Sequence, residues 1–303
     1  MDKVCFYCLM SLGILLAGNS TLLAQEETGK KEKEEGDPAG DTFLYRFAQF
    51  LVPDKDDKPT RPDISFPGPD TATFPNSPYT LPKGRFYLET SPLVLTGSSS
   101  NLPTVYNWKY LLRYGVTDEV EFRLLGNGLT ATFPDEPCER RTSGFAPLVF
   151  NIKVKFWDEP EENSWMPAMG AEIFLQTNFG SPFLQDGLQP GITLLFAKEL
   201  TDTWTLEWSI GAQGKGLGKQ KKEFTLELAI QWALEKEVTD RLSIFTHGYY
   251  NGTSLPGFSD DVVVGGGVKF DLTERLAVFG TYNAGVATKL PPYNTYIGLA
   301  QAF

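Results

Sequence analysis

Residues 204–212 read WTLEWSIGA and residues 224–234 read FTLELAIQWAL, and these two stretches decide the fold. In both, every second residue is apolar, and the residues between are small, polar or charged. Side chains that alternate with a period of two indicate a β-strand with one apolar and one polar face. Each stretch has about the length that a tilted strand needs to cross a bilayer.

The same period recurs from residue 85 to residue 303, for example in 106–114 and 148–156. Thr and Asp suit tight turns, because their short side chains accept hydrogen bonds from nearby backbone N–H groups. Counting stretches between turns gives about twelve strands in chain order, an even number, as in single-chain bacterial barrels. The short turns lie at 116–118, 200–202, 238–240 and 272–274, and the opposite connections lie near 96–102, 131–144, 180–188, 214–222, 251–260 and 286–292.

Three features favour a closed barrel over a secreted soluble β-sandwich, in which the alternation would look the same locally. Trp and Tyr lie near the ends of the apolar faces, as in an interfacial girdle. Charges such as Lys153 and Glu207 lie at mid-strand, where they need a wet lumen or a charged partner. The chain order needs no long crossover, so the first strand (about 85–95) can pair with the last, which ends at Phe303.

The sequence therefore predicts an all-β, antiparallel, up-and-down transmembrane barrel in the bacterial outer membrane. A soluble sandwich that acts as a binding module is the alternative fold.

The residues before the barrel lack this period and fall into three parts. Residues 1–24 combine Lys3, an apolar run and a small residue before charged residues, which is typical of a secretory signal peptide. Residues 25–41 are mostly Glu, Lys, Gly and Asp, which predicts a disordered charged linker. Residues 42–84 contain eight prolines, too many for helix or paired strands. We expect them to form an irregular lead-in or plug before a barrel at 85–303.

Composition argues against several classes of function. Acidic residues outnumber basic ones 38 to 27, and the net charge of −11 argues against a nucleic-acid partner. The single histidine, His247, argues against most His-dependent hydrolase and metal chemistry. We expect no enzyme activity, no cofactor and no metal site. The expected partners are outer-membrane lipid and a small-molecule solute.

If the apolar faces contact lipid, the opposite faces line the lumen. Charges there would bias which solutes pass, or would form ion pairs that fill a narrow lumen and hold it shut. Across the turn at 116–118, Arg113 is expected near Glu119 or Glu121. The lumen-lining candidates are Arg85, Glu89, Lys109, Arg113, Glu121, Arg123, Lys153, Lys155, Glu172, Glu207, Glu227, His247 and Lys269.

Two parts of the chain resemble a known family. Residues 61–63 (RPD), 77–78 (SP) and 81–89 (LPKGRFYLE) resemble its opening, and residues 112–123 (LRYGVTDEVEFR) resemble a second motif. The family is that of the outer-membrane transporters named for the MetA pathway of phenol degradation. The chain departs from it by an insert at 66–76 and by a Thr at position 60 in place of an acid.

The resemblance implies an outer-membrane β-barrel with a signal peptide, linked to the uptake of aromatic or other small compounds. We therefore predict a channel or transporter for small, aromatic or hydrophobic solutes. The alternative is a structural or interaction barrel in the outer membrane, with a closed lumen and no transport.

Overall fold

A computed structural model of the chain describes residues 63–97, 103–133, 141–160, 165–185, 187–215, 225–253, 261–286 and 293–303. The predicted signal peptide (1–24), the predicted linker (25–41) and the start of the lead-in (42–62) lie outside the described residues. Within the described ranges, no helix is long and apolar enough to span a membrane.

The described residues form a single antiparallel sheet and one short 3-10 helix, Pro182–Leu184. The strands are β1 (Phe86–Thr96), β2 (Thr104–Gly115), β3 (Val120–Gly126), β4 (Leu129–Phe133), β5 (Thr142–Phe145), β6 (Val149–Trp157), β7 (Ala168–Gln176), β8 (Gln189–Thr201), β9 (Trp204–Lys215), β10 (Thr225–Thr239), β11 (Leu242–Thr253), β12 (Asp261–Thr273), β13 (Leu276–Gly285) and β14 (Tyr293–Ala302).

These strands occupy twelve positions around a closed barrel. β3 and β4 both pair with β2 and form one interrupted position, and β5 and β6 form the next. β1 pairs with both β2 and β14, so the sheet closes on itself. The twelve-stranded closed barrel is thereby confirmed. The expected loop at 131–144 is too long, because residues 129–132 pair with residues 142–145 as β4 and β5.

Threonine side chains form the short turns at one end of the barrel. Thr117 Oγ1 accepts hydrogen bonds from the backbone N–H groups of Glu119 and Val120, at 3.2 and 3.0 Å. The hydroxyls of Thr201, Thr239 and Thr273 accept bonds of the same kind from the residues that follow them. The threonine of each turn thus satisfies backbone N–H groups of the same turn, which explains why the motif repeats. We call this end of the barrel the turn end.

The two faces of the wall differ as the alternation predicts. Ile210, Ile230 and Ile297 point outward and remain 51%, 48% and 57% exposed, whereas the residues beside them in sequence point into the barrel. Outward-facing apolar side chains of this kind form the belt that a barrel presents to lipid.

Residues 63–84, the lumen segment, run inside this wall. At one end, the Ile64 N–H donates to the Glu274 carbonyl at 2.8 Å. At the other, the Lys83 N–H donates to Asp118 Oδ1 at 3.0 Å. Both acceptors belong to short turns, so the lumen segment enters and leaves at the turn end. Its middle reaches mid-lumen, where the Phe74 ring stacks on the His247 ring.

Candidate functional site

Asp70, at the centre of the lumen segment, meets three cations of the barrel wall. Lys153 Nζ lies 2.5 Å from Asp70 Oδ2, Arg123 Nη2 lies 3.0 Å from it, and Arg113 Nη2 lies 3.4 Å from it. All four side chains are almost fully buried. A buried carboxylate needs such compensation, because leaving water is costly for an isolated charge.

The same three cations also pair with three acids of the wall. Arg113 Nε lies 2.7 Å from Glu121 Oε1, which is the pairing expected across the first turn, and Arg113 Nη1 lies 3.1 Å from Glu89 Oε1. Arg123 Nη1 contacts Glu172 Oε1. The wall therefore contributes three bases and three acids to this cluster, and Asp70 adds a fourth acid from the lumen segment.

Burial alone would raise the pKa of the Asp70 carboxyl. The positive charges of Arg113, Lys153 and Arg123 together outweigh burial and hold that pKa well below its usual range. Asp70 therefore remains charged while the lumen segment is docked.

The wall charges also bind the backbone and amide groups of the lumen segment. The Glu89 carboxylate accepts the N–H groups of Asp70 and Thr71 at 3.1 and 2.8 Å. Glu121 Oε2 accepts the Leu81 N–H at 2.9 Å. Further bonds run from Asn76 Nδ2 to Glu172 Oε1 and from Lys153 Nζ to the Ser77 carbonyl, both at 2.9 Å. These contacts satisfy polar groups of an irregular chain that forms no ladder of its own.

On the opposite wall, the lumen segment meets an uncharged, partly aromatic surface around His247. The Phe74 and His247 rings are nearly parallel, at 17°, with centroids 4.0 Å apart. Tyr249 meets the edge of Phe74 at 4.8 Å. His247 Nε2 lies 2.6 Å from Asn283 Oδ1, and the ring is buried.

Gly265 makes room for this arrangement, because a Cβ at that position would collide with the Asn283 side chain. The glycine run 265–267, which lies inside β12, therefore has a packing role at Gly265.

The other predicted lumen residues lie apart from the charged cluster. Glu235, in β10, accepts a bond from Lys269 Nζ at 2.6 Å, and Glu207 points inward from β9. Lys155 pairs with the exposed Asp158 at 3.0 Å near the turn end, and Arg85 immediately precedes β1 at that end. Lys109 and Glu227 line cavities beyond Phe74, on the side away from the turn end. A role for any of them in solute passage stays a prediction.

Cavities remain inside the barrel around the lumen segment. One of about 650 Å³ is lined by Thr71 and by wall residues from β2 to β7. Two others, of about 290 and 270 Å³, share Phe74 as a lining residue. The lumen segment therefore divides the interior without filling it.

Sequence reasoning did not identify the lumen-segment residues that complete the site, namely Asp70, Phe74 and Asn76. The sequence marks these residues only by their place within residues 42–84, because that proline-rich stretch has no periodicity. In the part of the chain that the structure describes, no three His, Cys, Asp or Glu side chains form a group able to hold a metal ion.

Comparison with known proteins gives one family and several similar folds. The family model described as "Putative MetA-pathway of phenol degradation" matches residues 69–300. The COG4313 outer membrane channel from Pseudomonas putida F1 is similar in structure, with a TM-score of 0.54 and 15% identity, covering 76% of this chain and 100% of that chain. This likeness supports the barrel fold.

Two porin structures are also similar. The KdgM porin has a TM-score of 0.48 and 8% identity over 72% of this chain and 99% of its own. The NanC porin has a TM-score of 0.49 and 7% identity over 71% of this chain and 98% of its own. No curated protein matches the sequence.

Proposed function

The chain belongs to the family described as the MetA-pathway of phenol degradation, and from that premise we propose that it is a channel for small solutes with residues 63–84 as a removable plug. The protein lies in the bacterial outer membrane, since its strands pair with one another by backbone hydrogen bonds around a closed wall, which presents an apolar belt to lipid. A wall of this kind leaves the lumen as the polar path between the two sides.

The observation that carries this proposal is the charge balance of the wall. Its three cations and three acids already pair with one another, through Arg113–Glu121, Arg113–Glu89 and Arg123–Glu172. If the lumen segment left, the wall would therefore keep a neutral, paired set of charges. Lys153 would lose Asp70 but would still have Glu172, whose carboxylate lies 3.9 Å away. A plug on such a wall can undock without stranding several buried charges.

The solutes that we propose are small and aromatic or hydrophobic. The family description names the degradation of phenol, which is a small aromatic compound, and the Phe74, Tyr249 and His247 rings offer an aromatic surface inside the barrel. The cavities beside Phe74 are of a size suited to single-ring compounds, at the lower end of the usual range for small-molecule pockets.

A permanently closed structural barrel is the competing function, and the same network gives it support. Asp70 alone touches three buried cations, and such a contact can also hold a lumen shut. The two functions differ in what happens when the plug is loosened without disturbing the wall.

The test compares Asp70→Asn with Asp63→Asn in planar bilayers. Both substitutions remove one carboxylate charge from the lumen segment, but Asp70 is buried among wall cations, whereas Asp63 is exposed and bonds Ser65. We expect Asp70→Asn to raise the open fraction at least about tenfold, because the docked segment loses its ion pairs with the three wall cations, whereas the undocked segment has none of them to lose. Asp63→Asn should behave as the wild type.

Deletion of residues 63–81 provides the second arm. We expect a larger and steady conductance, together with faster uptake of small solutes into liposomes. If the deletion protein inserts as a heat-modifiable barrel and neither conductance nor uptake rises, the removable plug is wrong and the closed structural barrel is correct.

A further inference from the structure

The cavity of about 290 Å³ has an aromatic side and a single charge. It lies beyond the tip of the lumen segment, among residues at the ends of β1, β11, β13 and β14 opposite the turn end. Phe74 and Tyr249 supply the aromatic surface, and Lys109 is the only charged residue among the described residues that line it. Amide side chains, including Gln231, Asn251 and Asn294, complete its wall.

Lys109 differs from the other predicted lumen lysines in its surroundings. Lys153 pairs with Asp70, Lys155 with Asp158 and Lys269 with Glu235. Among the described residues, no carboxylate lies within ion-pair distance of Lys109, and its ammonium lies 5.7 Å from the centroid of the Tyr296 ring. Lys109 also lines the 650 Å³ cavity, and no other charged side chain belongs to the part of that lining which the structure describes. A partly buried ammonium without a counter-charge attracts an anion more strongly than it would in water.

The third cavity has acidic residues in its described lining in place of a lysine. Its lining includes Glu172 and Glu227 together with the shared Phe74. Glu172 is already paired with Arg123, so the described lining of this cavity offers an anionic solute no cation, whereas the cavity beside it offers Lys109. An anion is therefore directed to the side of Lys109.

The rings at the border of the cavity favour a ligand that also carries a ring. Phe74 stacks on His247 and meets Tyr249 edge-on, so rings at the border of the cavity are held by neighbours rather than free to rotate away. Fixed aromatic surfaces favour another ring by offset or edge-to-face packing. A neutral ring alone would leave the Lys109 charge uncompensated.

We propose that this cavity is a binding site for a small aromatic carboxylate, whose ring packs against Phe74 and Tyr249 and whose carboxylate pairs with Lys109. This inference rests on the proposed channel function and names the substrate class of that channel. The proposed site binds a ligand that carries both an aromatic ring and a carboxylate, so a compound with only one of the two groups should bind more weakly.

The experiment measures binding of sodium benzoate to the full-length protein in detergent micelles by isothermal titration calorimetry at pH 7. Acetate tests the charge without the ring, and benzyl alcohol tests the ring without the charge, with protein-free micelles as the blank. We expect benzoate to bind the wild type at least about tenfold more tightly than either, since a charged contact and a ring contact each contribute to one affinity.

Variants at Lys109 then assign the charge. Lys109→Met should weaken benzoate binding at least about tenfold and leave benzyl alcohol unchanged, whereas Lys109→Arg should retain benzoate. Lys155→Met is the matched control, since Lys155 points inward near the turn end and lines none of the three cavities. Each variant is first shown to be a folded barrel by its heat-modifiable mobility.

Two results would overturn the inference: no benzoate binding to the wild type, or equal benzoate affinity in Lys109→Met and wild type. Calorimetry measures binding without passage through the membrane, so the binding site and the channel function are tested separately. If Asp70→Asn opens the channel but benzoate does not bind, only the site is wrong. If benzoate binds as expected but loosening the plug opens nothing, the site stands and the channel function is wrong.

Discussion

The two sides of the lumen wall hold the lumen segment in different ways. The side from β1 to β7 presents Arg113, Arg123 and Lys153 with their acidic partners, and it binds Asp70 by ion pairs. The side from β11 to β14 presents uncharged and aromatic groups around His247, and it binds Phe74 by ring stacking. Both surfaces are buried, and both touch the same short segment.

The two modes of binding differ in strength and in how far they tolerate displacement. Ion pairs in a buried cluster are strong when complete and costly when one partner is missing. Ring stacking contributes less per contact, about 0.5–1.5 kcal/mol beyond area burial, but tolerates small displacements. We infer that the charged side holds the segment more firmly than the aromatic side does.

The largest expected effect follows from breaking the charged side at Arg113. Arg113→Met leaves Glu89, Glu121 and Asp70 short of a buried cation, so we expect a loss of about 3–5 kcal/mol in the free energy of unfolding. The measurement is the urea midpoint of the heat-modifiable band on gels. Lys155→Met removes only the partly exposed pair with Asp158 and should cost at most about 1 kcal/mol. Equal midpoints for the two variants would show that the charged side does not hold the barrel.

A smaller effect is expected on the aromatic side at Gly265. A Cβ there would collide with the Asn283 side chain and displace it from His247, so Gly265→Ala should destabilise the barrel by about 1–3 kcal/mol. Gly280→Ala, in the neighbouring β13, is the matched control, because a Cβ at Gly280 would meet only ordinary contacts. The same gel assay measures both variants. If Gly280→Ala is the more damaging, the packing role of Gly265 is wrong.

The smallest expected effect concerns acidification of the plug. Neighbouring cations hold the pKa of Asp70 well below its usual range, so its contribution to docking is complete above the pKa of about 3.9 of a free Asp. That contribution is lost only as the pH falls through the lowered pKa of the docked state. The ratio of open fractions between Asp70→Asn and wild type should therefore be the same at pH 7 and pH 4.5. An acid-induced opening that occurs in the wild type and is absent from Asp70→Asn would contradict this assignment.

The charged side was partly predictable, whereas the contacts of the lumen segment with the wall were not. The turn at 116–118 predicted that Arg113 lies near Glu119 or Glu121, and the structure has the contact with Glu121, at 2.7 Å. The 2.5 Å contact of Lys153 with Asp70 joins residues 83 positions apart, one in a strand and one in an irregular stretch. No local pattern relates such a pair.

The sequence by itself determined the barrel, its closure near Phe303 and the two faces of its wall, because side-chain alternation is a local property that each strand carries in its own residues. Only the tertiary structure decided where residues 63–84 lie and which wall charges they meet. An irregular segment has no period to orient it, so its place is set by hydrogen bonds and ion pairs that exist only once the wall has closed around it.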